Sequence, residues 1–272
     1  MPEIDRNIHL IIEHGDEIDA VTYVAALMLV KYDGIDADMG NRPATLAHRR
    51  YIGRNMVFAY PGHPNSDVPE EREAARAIAK SIGHYATIAL HSPNGYGART
   101  AYIHPERGVS PRALGFLADM GVESLIMSKG EGIEAHAQNS FRFEYDFPSP
   151  LMRNPDDKPL IRCLETLAND PHAPVARAAD FSWYKEAIGL HVDMYDPYVQ
   201  GRRLDSSWAK PFERLSPELT CAAGYDYDND PPLYMFHYRE KSPTPDGFWG
   251  EAGVAVAAPD DTNWPHRYEL AV

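Results

Sequence analysis

Apolar residues in the first 170 positions follow two alternating patterns, short aliphatic runs and longer stretches with helical spacing. The run IHLII predicts a buried strand over residues 7–13, and the apolar stretch after it predicts a helix over residues 17–32. Because this helix is apolar on most sides, we expect the sheet and other elements to cover it. The same alternation predicts helices over residues 67–82, 110–121 and 158–168 and strands over residues 85–90, 122–127 and 140–147.

The pattern changes after Asp170, where short strand-like pieces are separated by proline, glycine and aspartate. These pieces are FSWYKEAIGLHVDMY, LYMFHYRE and WGEAGVAVAAP. We therefore predict an α/β domain over residues 1–170 and a smaller, mostly β domain over residues 171–272.

The size and charge of the chain limit the classes of partner. The chain has 272 residues, of which 44% are hydrophobic, so it can bury a substantial core. Its net charge of -14 argues against a nucleic-acid partner, because phosphate binding needs a concentrated basic surface. A small anionic substrate would need a local arginine cluster to overcome this field.

Cysteine content and the N-terminal residues both indicate a reducing compartment. Cys163 and Cys221 are too few for a disulfide framework, so we expect reduced thiols. The start MPEIDRNIHL lacks the pattern of a signal peptide, and the run AVTYVAALMLV is too short to span a bilayer. We expect a cytoplasmic protein with no membrane partner.

Two predicted strands end in histidine. His14 follows the first strand, the stretch HGDE places Glu17 at the start of the next helix, and His91 follows the strand YATIAL. Ligands of open α/β sheets bind outside the carboxyl ends of the strands, so these side chains can converge. Two ligands from one turn and a distant third are a usual layout for catalytic zinc. The sequence therefore predicts one zinc ion per chain, held by His14, Glu17 and His91, with His63, His104 and His136 outside the ligand set.

Arginine is concentrated in residues 41–64, which we predict to be a long loop. Arg49, Arg50 and Arg54 lie close together in RRYIGRN, and Asn55 ends this stretch. In so acidic a chain this cluster indicates a receptor for a substrate carboxylate, which arginine can grip through two parallel hydrogen bonds.

The order of several motifs resembles the aspartoacylase and succinylglutamate desuccinylase family of the zinc carboxypeptidase superfamily. The motifs are H-G-D-E, N-R-P-A, R-Y-I-G-R-N, Y-P-G, L-H-S and a later strand with F-E. The resemblance implies a zinc-carboxypeptidase-like mixed sheet flanked by helices, followed by a small β domain. It also implies zinc-dependent hydrolysis of the amide bond of an N-acyl amino acid.

The resemblance also implies roles for single residues. Glu144 matches the general base, on a strand whose alternation places Phe141, Phe143 and Tyr145 on one face and Arg142, Glu144 and Asp146 on a polar face. Arg50 matches an arginine beside the scissile carbonyl. The family's Asn-Arg pair, which grips the substrate carboxylate, has only Arg54 and Asn55 in reversed order as its counterpart.

Two further positions differ from the family pattern. The family's aspartate two residues before the third ligand is Ala89 here, so support for His91 must come from elsewhere. Glu251, in the motif GEAG, is expected to be a loop glutamate without a catalytic part.

Three functions remain open at this stage. The leading hypothesis is a zinc amidohydrolase that acts on a small N-acyl amino acid or a related acid. A carboxypeptidase-like peptidase would need a broad groove with no β-domain cap. A non-catalytic metal-binding or ligand-binding relative would hold zinc without turnover, and any of the three could form a homo-oligomer.

Overall fold

A computed structural model describes residues 5–92, 95–97, 99–128, 132–145, 158–198, 210–239, 243–244 and 246–259. The strands are β1 (Asp5–Ile11), β2 (Ile35–Asp38), β3 (His84–His91), β4 (Gly95–Gly97), β5 (Thr100–Ile103), β6 (Ser124–Met127), β7 (Ser140–Glu144), β8 (Ser182–His191), β9 (Leu233–Arg239) and β10 (Phe248–Val256). The α-helices are α1 (Ile18–Val30), α2 (Arg42–Leu46), α3 (Pro69–Ser81), α4 (Pro111–Asp119), α5 (Lys158–Asn169) and α6 (Pro217–Ala222).

The ten described strands form one mixed sheet in the order β2-β1-β3-β7-β5-β6-β8-β10-β9-β4. The neighbours of β1, β3 and β6 are parallel, whereas β7 with β5 and the pairs among β8, β10, β9 and β4 are antiparallel. The predicted α/β class with a mixed sheet is confirmed. The short strands β2, β4 and β5 were not predicted.

The alternation of β1 explains how both faces of the sheet are covered. Ile8 and Leu10 join the main core with residues of α1, α4 and α5. Ile11 points to the opposite face and packs near Ala74 and Ala77 of α3. Both faces are therefore buried, as expected for strands rich in branched aliphatic residues.

The expectation that α1 is covered on most sides is wrong. Its inner face is buried through residues such as Tyr23, Val24 and Leu27. Its outer face carries Leu29 and Val30, which are 85% and 54% exposed. The reason is topological, because α1 lies on an outer surface of the sheet with no further layer over it among the described residues.

The expectation of a continuous loop over residues 41–64 is also wrong. Asn41 accepts a hydrogen bond from the Ala44 backbone N–H and so caps α2, which has Pro43 in its first turn. Asn55 caps a short 3-10 helix, Met56–Phe58, in the same way. Polar capping residues start two short helices that the apolar period does not show.

The region after residue 170 extends the sheet and has a core cluster of its own. β6 pairs in parallel with β8, so the sheet continues across the predicted boundary. A second cluster gathers Leu190, Leu233, Met235 and Trp249 between the last strands and α6. The division at residue 170 stays a prediction. Among the described residues, neither Cys163 nor Cys221 forms a disulfide.

The outermost strands of the sheet are short. β2 has four residues and β4 has three. Lys80 of α3 pairs with two aspartates of β2, because its Nζ lies 2.9 Å from Asp36 Oδ1 and 3.5 Å from Asp38 Oδ2. Within the described part of the chain, no helix combines the length and apolarity that crossing a membrane requires.

Candidate metal centre

His14, Glu17 and His91 converge as predicted at the carboxyl ends of β1 and β3. One potential ligand atom from each lies within 4.8 Å of the others. His14 Nδ1 is 2.7 Å and His91 Nδ1 is 3.3 Å from Glu17 Oε1. All three residues are buried. Two imidazoles and one carboxylate are the donor set of catalytic zinc sites, so these residues could hold a metal ion.

Gly15 explains how the motif H-G-D-E turns so sharply from strand to helix. A Cβ atom at Gly15 would lie 2.3 Å from the backbone carbonyl of Ala44 in α2. Asn41 donates from its side chain to the Glu13 carbonyl over 3.2 Å and so ties α2 to the same turn. The motif N-R-P-A therefore forms the surface against which H-G-D-E folds, and glycine is needed for the close approach.

The outer nitrogens of the two histidines are also engaged. His14 Nε2 lies 3.0 Å from Asn55 Oδ1, and His91 Nε2 lies 2.9 Å from Glu13 Oε2. In the neutral imidazole that binds a metal, each acceptor favours a proton on Nε2, so that the Nδ1 lone pair would face the centre. Glu13 therefore supplies the support for His91 that the family takes from the position of Ala89.

The charges around His91 suit a cation. Burial disfavours a charged imidazole, yet Glu17 and Glu144 outweigh it and raise the pKa of His91 to about 10. Burial also opposes ionisation of Glu17, but His91 and His14 hold the pKa of Glu17 well below its usual range. The centre therefore accommodates positive charge beside an ionised carboxylate.

Glu144 lies beside His91 on the neighbouring strand. The two residues are register partners in the parallel pair β3 and β7, so their side chains project from the same face. The polar face predicted for this strand is not solvated, because Arg142 is 9% and Glu144 is 7% exposed. Asp146 and residue 147 lie outside the described residues.

Of the predicted arginines, the structure brings Arg50 to the centre. Its Nη1 lies 3.5 Å from Glu17 Oε1. Arg54 instead pairs with Glu71 over 3.5 Å with 47% of its side chain exposed, and Arg49 is exposed. The side-chain oxygen of Asn55 contacts His14 Nε2. Substrate roles for Arg49, Arg54 and Asn55 stay predictions.

The loop that contains Arg50, residues 47–55 between α2 and the 3-10 helix, is held by a fully buried carboxylate. Glu70, in the first turn of α3, accepts hydrogen bonds from the backbone N–H groups of Ile52, Gly53 and Arg54. Hydrogen bonds to a charged acceptor are among the stronger ones in proteins. Glu70 therefore fixes the backbone two residues after Arg50.

The Glu70→Ala protein is expected to lose about 2–3 kcal/mol of unfolding free energy, because three backbone donors lose their acceptor. Urea denaturation measures this loss. Glu70→Gln keeps one acceptor oxygen and should lose less stability, and an unchanged midpoint for Glu70→Ala would contradict this account.

A polar network links the centre's face of the sheet to the C-terminal strands. The Arg142 guanidinium lies 3.7 Å from the centroid of the Tyr102 ring. The Tyr102 hydroxyl donates to Glu251 and lies 3.3 Å from His237 Nδ1. Glu251 was expected on a loop, but it lies in β10 because the strand pattern around it extends through GEAG.

The Glu13→Ala protein is expected to bind zinc about 10- to 100-fold more weakly, because His91 loses the partner that orients its ring. Competition against a chelator of known affinity measures the change. Glu13→Gln keeps an acceptor for His91 and should retain more of the affinity. Equal zinc affinity in the Glu13→Ala and unsubstituted proteins would show that Glu13 does not support the centre.

Comparison with known proteins gives similarity of structure only. No family model and no curated protein sequence matches the chain. The succinylglutamate desuccinylase from Chromobacterium violaceum is 16% identical, with 93% of this chain and 86% of that chain covered and a TM-score of 0.62. Murine aminoacylase 3 is 13% identical, with 95% and 99% covered and a TM-score of 0.57.

A third solved structure extends the same similarity. The succinylglutamate desuccinylase/aspartoacylase from Rhodobacter sphaeroides is 14% identical, with 93% of this chain and 86% of that chain covered and a TM-score of 0.51. These matches span almost the whole chain. The chain therefore has the fold of the succinylglutamate desuccinylase and aspartoacylase proteins, as its motifs predicted.

Proposed function

We propose that this protein is a zinc-dependent hydrolase that cleaves the amide bond of an N-acyl amino acid or a similar small acid. The observation that carries the proposal is the buried group of His14, Glu17 and His91 with Glu144 in register beside His91. A candidate metal-binding group with an adjacent carboxylate is what metal-dependent amide hydrolysis uses. The similarity to solved desuccinylases and aminoacylase 3 supports the reaction class.

The donor set fits zinc, and the side chains around it fit the remaining steps. When bound, zinc lowers the pKa of water to about 7 and polarises a carbonyl group. Glu144 accepts the proton of the attacking water and delivers it to the leaving nitrogen. Arg50 donates hydrogen bonds to the oxygen on which negative charge develops. Glu13 and Asn55 hold the two histidine rings in place.

A peptidase is the nearest alternative, and the C-terminal strands argue against it. Arg239, at the end of β9, lies 3.7 Å from Asp16, which sits between His14 and Glu17 in the chain. The C-terminal strands therefore border the centre, and a border of this kind suits a small substrate better than a polypeptide in a broad groove. We propose a small N-acyl amino acid on this basis.

Amine release from a panel of substrates tests the proposal. The zinc-loaded protein is incubated with N-acetyl, N-succinyl and N-formyl amino acids and, in parallel, with peptides that have free C-termini. Turnover of a panel member but not of the peptides supports the deacylase. Peptide cleavage alone would favour the peptidase, and stoichiometric zinc without any turnover would favour a non-catalytic relative. The Glu144→Gln protein controls for contaminating activity.

A further inference from the structure

The outer face of α1, made of Ile18, Thr22, Ala25 and Leu29, is an uncovered apolar surface. These residues recur at the spacing that places side chains on one side of a helix, opposite the buried residues of α1. Ile18 is 60% and Leu29 is 85% exposed, and Val30 beside them is 54% exposed. Large apolar side chains gathered at the surface are costly in water, so such a face marks a contact site.

Other exposed apolar residues do not share a helix in this way. Elsewhere in the described part of the chain they lie on separate elements, for example Leu46 in α2, Phe58 in the 3-10 helix and Ile82 after α3. Apolar side chains exposed singly are normal on protein surfaces. The four large ones on α1 therefore need an explanation that the scattered ones do not.

The outer face of α1 is electrically neutral although the chain has a net charge of -14. Over residues 18–32 the charged residues are Asp19 and Lys31, and their charges cancel. Two copies of so acidic a protein repel each other over most of their surfaces. The repulsion is smallest where two neutral faces meet, so this face suits a second copy of the chain.

The two charged residues stand at opposite ends of α1. Asp19 lies in the first turn, and Lys31 follows the last helical residue and is exposed. Burial raises the pKa of the Asp19 carboxyl group, and no charged neighbour among the described residues offsets this shift. A second α1 that packs antiparallel would bring its Lys31 to Asp19 and its Asp19 to Lys31. The ends of the helix are thus complementary in charge to themselves.

The sizes of the side chains are complementary in the same sense. Thr22 and Ala25 in the middle of the outer face are small, whereas Ile18 and Leu29 at its ends are large. In an antiparallel pair the helix axes can approach closely at the small residues, and Leu29 of one copy packs against Ile18 of the other. A twofold contact requires one surface that is complementary to itself, and the outer face of α1 meets this requirement.

We infer that the protein forms a dimer in which the outer face of α1 packs antiparallel against the same face of a second copy. The dimer goes beyond the proposed hydrolase function and does not depend on it. One helix from each copy supplies the contact, which is less than the about 800 Å² per partner of a standard interface. The dimer is therefore expected to dissociate on dilution.

Sedimentation velocity over protein concentrations from about 1 μM to 1 mM tests the dimer. The unsubstituted protein should pass from monomer to dimer within this range. Leu29→Glu should raise the Kd of the dimer about 100-fold or more, because it places a charge without a partner inside the contact in both copies. Ile82→Glu adds the same charge at an apolar position that is 80% exposed, and this matched control should leave the Kd unchanged. Far-UV circular dichroism checks that both variants are folded.

Charge reversal tests the antiparallel arrangement. Lys31→Glu places like charges together at both ends of the contact and should raise the Kd about 3- to 10-fold. Adding Asp19→Lys to the same chain restores two opposite pairs and should restore the Kd. A dimer that persists in Leu29→Glu, or a double variant that dimerises no better than Lys31→Glu alone, would overturn the inference. So would a protein that stays monomeric throughout, and a lower urea midpoint for Leu29→Glu would then identify another segment of this chain as the cover of α1.

Discussion

The His91→Ala protein is expected to lose most of its bound zinc and to remain folded. Loss of a residue that only orients a ligand weakens metal affinity about 10- to 100-fold, so loss of a ligand should exceed that range. His14→Ala and Glu17→Ala should behave alike, because each removes one of three converging donors. Metal content after dialysis and the far-UV circular dichroism spectrum measure the two outcomes.

A second histidine variant separates metal loss from a general effect of substitution. His63 is exposed in the segment between the 3-10 helix Met56–Phe58 and α3, and His63→Ala should keep full zinc content. The fold should survive in His91→Ala, since the main core lies on the other face of the sheet around Phe141 and Phe143. Stoichiometric zinc in the His91→Ala protein would remove His91 from the ligand set, and His104 or His63 would have to be reconsidered.

The Glu144→Gln protein is expected to keep its zinc and to lose turnover by about 100-fold or more, the usual size of a general acid–base contribution. The amide has nearly the same shape as the carboxylate, so the strand and its register with His91 should be preserved. Single-turnover rates and zinc content, measured on the same preparation, distinguish a lost proton acceptor from a lost metal.

A buried glutamate on the same side of the molecule serves as the matched control. Glu134 is 1% exposed, and burial raises the pKa of its carboxyl group. Because Glu144 and not Glu134 is the register partner of His91, glutamine should replace Glu134 with little change in rate. The opposite result, with Glu144→Gln active and Glu134→Gln inactive, would show that Glu134 is the general base. Glu131, a second glutamate in the segment before β7 that could be considered as the base, lies outside the described residues.

The three candidate ligands could be predicted from sequence because their placement follows from local rules. A histidine at the carboxyl end of a buried strand lies at the ligand-binding edge whatever the details of packing. His14 and His91 both satisfy this rule, and Glu17 follows from the turn that begins α1. The main helices were predictable for a similar reason, since apolar spacing and capping residues are properties of a short stretch of chain.

Glu13 and Arg239 were missed because their neighbours are distant in sequence. Glu13 looks like the polar end of a strand until the pairing of β1 with β3 brings it to His91. Arg239 lies more than two hundred positions after Asp16, and its placement depends on the register of the C-terminal strands. Arg54 was placed by motif similarity, whereas its contact with Glu71 depends on how the loop meets α3.

The two ends of the sheet have a consequence for how copies of this chain meet at high concentration. An open sheet exposes unpaired backbone groups at its margins, which can template strand addition and polymerisation. Here the edge strands β2 and β4 offer four and three residues. A strand added beside β2 would also have to displace the ion pairs of Lys80 with Asp36 and Asp38. Such short margins give an added strand few hydrogen bonds, and β2 also has charged side chains, so the two edges disfavour fibril-like growth of the sheet.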